Sequence, residues 1–330
     1  MRLLRTLLTL FAFSPHLLQA QTTYATGDKA YITAVEKAFM ALKNKDCRAC
    51  LREYERAFAI SQKSALSLLR AATCAYGCEE MDLARAFVHR AVTADVEAAD
   101  EIWADLTEYP ELATFRQGQM QEIITEELQN AFHRYGFNAA LRQRLVTIYE
   151  QDQRPRQQLD SVSKVYGWDS PETRMVVKKM AETDSVNLPE IETIIQKHGY
   201  PGKSKVGERM SETAWLVIQH APLAVQEKYL PVLQKAADKG ELSRSSLALL
   251  IDRVRLGRGQ KQLYGSQVTG DEKGNMWLAP IEDEANVNKR RASVGLEPIE
   301  DYAKQFNIDY KAPATKKARP NRPGSRMSKM

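Results

Sequence analysis

The sequence predicts a mainly α-helical fold, with helical hairpins at the front and then a larger helical domain that carries one small β-hairpin. Three observations lead there. Apolar residues recur at steps of three and four along most of the chain, which places them on one face of a helix. Breaks rich in Gly, Pro and Asn punctuate these stretches at intervals that suit helices. Only beyond Gly257 and Gly259 does the period change, to the alternation of short strands over residues 263–268 and 276–281, with Gly270 and Gly274 in the turn region between them.

Residues 1–20 read as a secretory signal. Arg2 and Arg5 give a positive start, residues 7–13 an apolar centre, and Leu18-Gln19-Ala20 a cleavage site before Gln21. The apolar run is far shorter than the roughly 20 residues that span a bilayer. The first cysteine is Cys47, so the cleavage site offers no thiol for a lipid anchor. No later segment is long and apolar enough to cross a membrane. The expectation is an exported protein without a transmembrane segment, periplasmic or extracellular after cleavage near Ala20.

The formal net charge of +5 is unevenly spread over the 330 residues. Loss of Arg2 and Arg5 with the signal leaves +3. Residues 311–330 hold Lys311, Lys316, Lys317, Arg319, Arg322, Arg326 and Lys329 with no acid, so the part between carries −4. The basic character therefore belongs to the tail and gives no argument for a specific nucleic-acid partner. Pro-rich and without apolar periodicity, the tail is expected to be disordered, either solubilising the chain or touching an anionic surface such as lipid headgroups.

Over residues 24–118 the pattern is helix, short turn, helix. Residues 34–42 have helical apolar spacing, residues 50–58 follow after a break at 43–46, and a second pair covers 64–76 and 81–94, broken at Gly77. Small residues recur where helices would approach closely: Ala34, Ala38, Ala57, Ala71, Ala84 and Ala91. Trp103, Leu106, Tyr109-Pro110 and Phe115 read as a capping segment. The period of about 34 residues resembles that of the tetratricopeptide family. The resemblance implies about two degenerate repeats and a groove for a peptide or protein partner. Residues 119–137 read as a connecting helix.

All four cysteines, Cys47, Cys50, Cys74 and Cys78, lie in this front part. If helices 47–60 and 64–77 are antiparallel about a turn near residue 62, Cys50 meets Cys74 and Cys47 meets Cys78. An oxidising compartment favours disulfides. A four-cysteine zinc site and a redox pair at Cys47-Arg48-Ala49-Cys50 are the alternatives that the spacing leaves open.

The second domain, residues 138–310, sets polar residues into apolar helices. In helix 138–152 the steps from Leu141 through Leu145 and Ile148 carry Asp152 onto the apolar stripe. Asn187 reads as the N-cap of helix 188–198, with Pro189 and Glu190 in its first turn, His198 in its last and Gly199 ending it. A further helix starts at Ser204 or Lys205 and includes residues 214–218, with His220 near its end. Helix 222–239 ends at Gly240, and Ser243 caps helix 244–256, where Asp252 and Arg253 fall on the face of Leu249 and Leu256. In the first strand Gln262, Tyr264 and Ser266 alternate onto one face. Helices at about 284–295 and 299–306 close the domain, the first carrying Asn288, Arg290 and Arg291.

The phrases Asp152-Gln153-Arg154, Asp184-Ser185-Val186-Asn187, His198-Gly199-Tyr200-Pro201, Ser204-Lys205-Val206-Gly207, Gln219-His220-Ala221 and Asp252-Arg253-Val254 follow in a recognisable order. Together with Gln262-Leu263-Tyr264-Gly265-Ser266-Gln267 and Arg290-Arg291, they resemble an uncharacterised bacterial domain-of-unknown-function family over roughly residues 138–303. That family often follows a signal peptide and tetratricopeptide-like helices. The resemblance implies a fold neighbourhood and no activity.

Three uses of this polar set are open at this level. Asp152 and Asp252 could form architectural ion pairs with Arg253 and Arg154. In a hydrolase-like enzyme, Asp152 or Asp252 would act as base and His220 as acid, with Tyr264 and Gln267 orienting substrate. In a binding module, Gln153, Arg154, Arg253, Gln262, Tyr264 and Gln267 would recognise a sugar, peptide or cell-wall fragment, with Tyr264, Trp168 or Trp215 for stacking. Trp215 fits the core better. No Gly-x-Ser-x-Gly elbow, His-Glu-x-x-His motif or phosphate-binding Gly loop occurs. No pair among Asp152, His220 and Asp252 has close helical ligand spacing, so neither metal nor cofactor is expected.

Overall fold

The computed structural model describes residues 24–104, 106, 108–271 and 275–313. The expected export signal and the basic tail beyond residue 313 lie outside the described residues. The fold is mainly α-helical with one small antiparallel hairpin, and it divides into a front unit, Ser14–Ala214, and a back unit that begins at Trp215. No helix among the described residues is long and apolar enough to cross a membrane.

The front unit begins with helices α1 (Lys29–Lys43), α2 (Cys47–Phe58), α3 (Ala65–Gly77) and α4 (Met81–Ala94). Their starts are set by side-chain caps. Asp28 accepts from the N–H groups of Ala30 and Tyr31, Asp46 from that of Ala49, and Ser64 from that of Ser67. The recurring alanines Ala34, Ala38, Ala57, Ala71, Ala84 and Ala91 are all buried, so the helices approach closely around Tyr31, Tyr54, Leu68 and Phe87. Pairing of α1 with α2 and of α3 with α4 is consistent with two tetratricopeptide-like hairpins.

Cys47 pairs with Cys78 and Cys50 with Cys74, at Cα separations of 5.5 and 6.1 Å, and no free cysteine is left among the described residues. The two bridges tie α2 to the helix that follows it.

Helix α5 (Val96–Ala104), a 3₁₀ turn at Pro110–Arg116 and α6 (Gly118–Tyr135) complete the front core. Gly136 ends α6 in the left-handed region that glycine tolerates best. Next come two long helices, α7 (Ala139–Tyr166) and α8 (Pro171–His198), packed as a hairpin. Here two sequence expectations need correcting. The helix read as 138–152 runs on to Tyr166, and the helix read as 188–198 is the last part of α8. Asn187 is thus not an N-cap; that role falls to Ser170, whose side chain accepts from the N–H of Thr173. Pro155 and Pro189 each remove a helical N–H, a disruption of about 3 kcal/mol. Packing of one long helix on the other, through Leu145, Ile148, Leu159, Met180, Ile191 and Ile194, carries both helices through it.

The helix expected from residue 204 is also interrupted. It forms as α9 (Lys203–Val206), a 3₁₀ turn at Met210–Glu212 and α10 (Thr213–His220), with Gly207 at φ +85° between the first two. A buried charge cluster fixes this break. Arg142 of α7 donates from Nε to Asp100 at 2.6 Å and from Nη1 to the Val206 carbonyl at 2.6 Å. Glu97 accepts from the N–H groups of Glu208 and Arg209 at 2.7 and 2.8 Å, and Arg209 reaches back to Glu101 at 2.6 Å. A Cβ on Gly207 would lie 2.7 Å from the Glu97 carboxyl carbon, so the turn and the charges exclude any larger residue.

The back unit contains α11 (Leu223–Asp238), α12 (Arg244–Gly257), β1 (Val268–Gly270), β2 (Met276–Leu278), α13 (Val287–Ser293) and α14 (Ile299–Lys304). Trp215 is buried, as a core residue should be. The hairpin pairs Val268 with Leu278, Thr269 with Trp277 and Gly270 with Met276. Its inner face joins Ile281, Val287, Ile299 and Tyr302 in a small core of its own. The first strand lies at Val268–Gly270 and not at the expected 263–268, because loop residues such as Leu263, Tyr264, Ser266 and Gln267 spend their backbone donors elsewhere. Gly270, expected in the turn, pairs with Met276, and the second strand stops at Leu278 and not at residue 281.

The nested bridges make a quantitative prediction. Cys47 and Cys50 are three positions apart and Cys74 and Cys78 four, so one bridge leaves only a short ring for the other to close. Replacing either pair by alanine should cost about 2 kcal/mol, and replacing both about 5 kcal/mol, in urea unfolding of the full chain. A double loss equal to the sum of the two single losses would contradict the nesting argument.

Candidate functional site

In the back unit the polar residues of the sequence gather on one carboxylate. Asp252, on the buried face of α12, accepts from the N–H of Leu263 at 2.6 Å and of Tyr264 at 3.0 Å through Oδ1. Its Oδ2 accepts from the Ser266 N–H at 3.0 Å and the Ser266 hydroxyl at 2.9 Å. Burial pushes the Asp252 carboxyl above the usual carboxylate range, while the donors of Ser266, Tyr264 and Leu263 pull the other way. The loop at 263–267 is therefore wrapped round a side chain instead of paired in a ladder. This corrects the expectation that Gln262, Tyr264 and Ser266 share one strand face: Gln262 and Ser266 are buried, and Tyr264 is half-buried.

The rest of the phrase closes the same knot. Gln262 donates to the carbonyls of Gln267 at 3.0 Å and Ala279 at 2.7 Å, and its own Oε1 accepts from the Gln267 N–H at 2.8 Å. Gln267 donates to Ser266 Oγ at 3.1 Å. Arg290 donates to the Leu263 carbonyl at 2.7 Å and Arg291 to the Tyr264 carbonyl at 2.8 Å. The Tyr302 hydroxyl donates to the Ser266 carbonyl at 2.6 Å, and the Arg291 guanidinium lies 4.8 Å from the Tyr302 ring centre. Gly265, at φ +67°, passes so close to Ile299 that a Cβ would meet its Cδ1 at 2.3 Å. Arg253 and His220 are half-buried in this unit, the latter as the last residue of α10.

In the front unit Asp152 and Gln153 are buried, while Arg154 faces solvent. Gln153 donates to Asp152 Oδ2 at 2.6 Å. Arg156, one turn on, lies 3.1 Å from Asp152 Oδ1 and 2.6 Å from Asp184 Oδ1 across the hairpin. The oxygens of Asp152 and Asp184 come within 4.8 Å of each other, so the guanidinium supplies the positive charge that the two carboxylates call for. Nearby Tyr149 is pushed up to about 12, chiefly by burial and then by the charges of Glu101 and Asp152.

Asn187 belongs to this layer. It stands one turn beyond Asp184 on α8, as Asp152 stands one turn before Arg156 on α7, and the antiparallel register brings both to the same level. Its side chain is fully buried, and neither Nδ2 nor Oδ1 has a hydrogen-bond partner among the described residues. Neither Arg156 nor the isolation of Asn187 was foreseen from sequence. The i, i+4 spacing of Asp152 and Arg156 was the available signal, masked by Pro155 between them.

The knot predicts a graded loss of stability in the full chain. Asp252→Asn turns an amide N–H₂ toward donors and should cost about 3–5 kcal/mol, whereas Ser266→Ala should cost about 1.5–3 kcal/mol. Denaturant unfolding followed by circular dichroism measures both.

Comparison of the chain with curated proteins and with solved structures gave no match. Residues 139–313 match a family of unknown function, DUF6624, so the stretch that holds both the Asp152 layer and the Asp252 knot is the family's own domain. With more than half of its length matched, the chain belongs to the DUF6624 family.

Proposed function

We propose that this protein is an exported binding protein, in which the front hairpins engage a protein partner and the polar layer of α7 and α8 holds a small polar ligand. The observation that carries the ligand reading is Asn187. A buried amide without a partner forfeits about 1–3 kcal/mol per group, and a fold keeps one where another molecule completes it. An amide offers one acceptor and two donors, which suits a ligand rich in hydroxyl, amide or carboxylate groups, such as a sugar or a short peptide.

Two features favour binding over acid–base catalysis. Both oxygens of Asp252 are occupied by donors of the 263–266 loop, so we read this residue, with Gln262 and Gln267, as architecture. Asp152 is held in place by Arg156 and Gln153, an arrangement that fixes the orientation of the carboxylate. A shallow groove over α1 and α2, lined by Lys29, Thr33, Lys37, Arg56 and Ile60, supports a partner-binding role for the hairpins. Export is supported by the paired cysteines and by the amino-terminal pattern.

A thermal-shift screen of sugars, amino acids and short peptides on the full chain tests the ligand reading. A ligand present at about 100 times its Kd should stabilise the protein by about 2.7 kcal/mol. Asn187→Ala should abolish that shift while leaving the unliganded protein as stable as the wild type or more so, since two unpaired groups are removed. A variant that unfolds more easily by over about 2 kcal/mol, with no compound shifting the wild type, would place Asn187 in the architecture instead.

A further inference from the structure

In the front unit, α3 covers one side of the first hairpin. Its Ser67 hydroxyl lies 3.5 Å from the Tyr31 hydroxyl, and its Arg70 guanidinium lies 4.2 Å from the Phe39 ring centre. The groove between α1 and α2 opens on a different face. Lys29, Thr33 and Lys37 wall it over a floor of Ala30 and Ala34, a stripe of α1 apart from the one that Tyr31, Val35 and Ala38 turn to the core. Glu53, Arg56 and Ile60 of α2 complete a hollow of about 470 Å³.

The floor is small and the rim is basic. Ala30 and Ala34, four positions apart, let another helix approach to the roughly 8–10 Å between axes that helix packing requires. Ile60, 46 % exposed, adds an apolar edge. Three cations, Lys29, Lys37 and Arg56, stand round one acid, Glu53. That acid is engaged by Arg56 at 2.6 Å, and neither lysine has an ion-pair partner among the described residues. At 1.5 Å per residue the two lysines are about 12 Å apart along α1, a little over two helical turns.

We infer that this groove takes an acidic, amphipathic helical segment of another protein. Its small or apolar face lies on Ala30, Ala34 and Ile60, and its Asp or Glu side chains meet Lys29 and Lys37. This rests on the reading of the front hairpins as partner-binding and states what the partner must offer. Charge complementarity selects the occupant. A second copy seated face to face is disfavoured, because a two-fold contact repeats one patch and sets Lys29, Lys37 and Arg56 against their own kind. A nucleic acid would find the cations but no aromatic ring in the groove on which to stack a base.

The test is selection of phage-displayed random 16-residue peptides on the full chain, followed by fluorescence anisotropy with the recovered peptides. These should be enriched in Asp and Glu over the unselected library and should bind more weakly as salt is raised. Lys29→Glu with Lys37→Glu should raise their Kd at least about tenfold. Ala30→Trp, which fills the floor and leaves every charge in place, should do the same. Lys178→Glu with Lys179→Glu makes an equal change of net charge at exposed positions of α8 and should leave the Kd within about twofold. All three variants should keep the helical circular dichroism of the wild type. Recovered peptides without acidic enrichment, or ones that either groove variant binds as tightly as the wild type, would overturn the inference while leaving the hairpins a partner-binding surface elsewhere. Recovery of no peptide at all would overturn both readings. Self-association of the wild type that the Lys29 and Lys37 changes abolish would make a second copy the occupant instead.

Discussion

The front unit depends on one buried guanidinium. Arg142 is almost wholly removed from water, an expense that only close, charged partners can offset. It finds Asp100 on α5 and the Val206 carbonyl at the end of α9, while Glu97, one turn from Asp100, takes the next two backbone N–H groups. A helix of the repeat-like region, the start of α7 and the turn at Gly207 are thereby fixed to each other at a single point. The long hairpin takes its position from this cluster, and with it the polar layer that lies nearly three turns further along α7.

Two polar clusters of similar composition behave in opposite ways. Around Asp252 the donors and acceptors close on each other: the carboxylate, the two glutamines, the serine and the neighbouring arginines all find protein partners. Such a network rigidifies a loop and leaves little to offer another molecule. The layer at Asp152 is paired through Arg156 but holds an amide with neither of its polar atoms engaged. Burial and polarity alone did not separate the two; satisfaction of hydrogen bonds does.

Helical periodicity and capping residues made most of the fold legible. Ser64 and Ser243 begin helices as their chemistry predicts, and the alanine pattern marked the close contacts between the front helices. Antiparallel register was enough to match Cys50 with Cys74. The failures have physical causes. Pro155 and Pro189 read locally as ends, and only the packing of one long helix on another carries the chain through them. The alternation at 262–266 looked like a strand because nothing in a local window shows that a side chain eleven positions earlier takes the backbone donors. Asp152 was visible as a polar residue on an apolar stripe and Asn187 only as a cap, and whether each has a partner depends on a helix distant in sequence.

The Asp252 knot also has a kinetic meaning. Its bonds join residues only eleven to fourteen positions apart, so little chain entropy is lost in closing it. Once α12 has formed, the loop can settle on the carboxylate without waiting for distant partners. Gly265 then presents its bare backbone to Ile299, and the Ser266 carbonyl its acceptor to Tyr302. The knot is in this sense a seat for α13 and α14, closed by short-range bonds of low contact order.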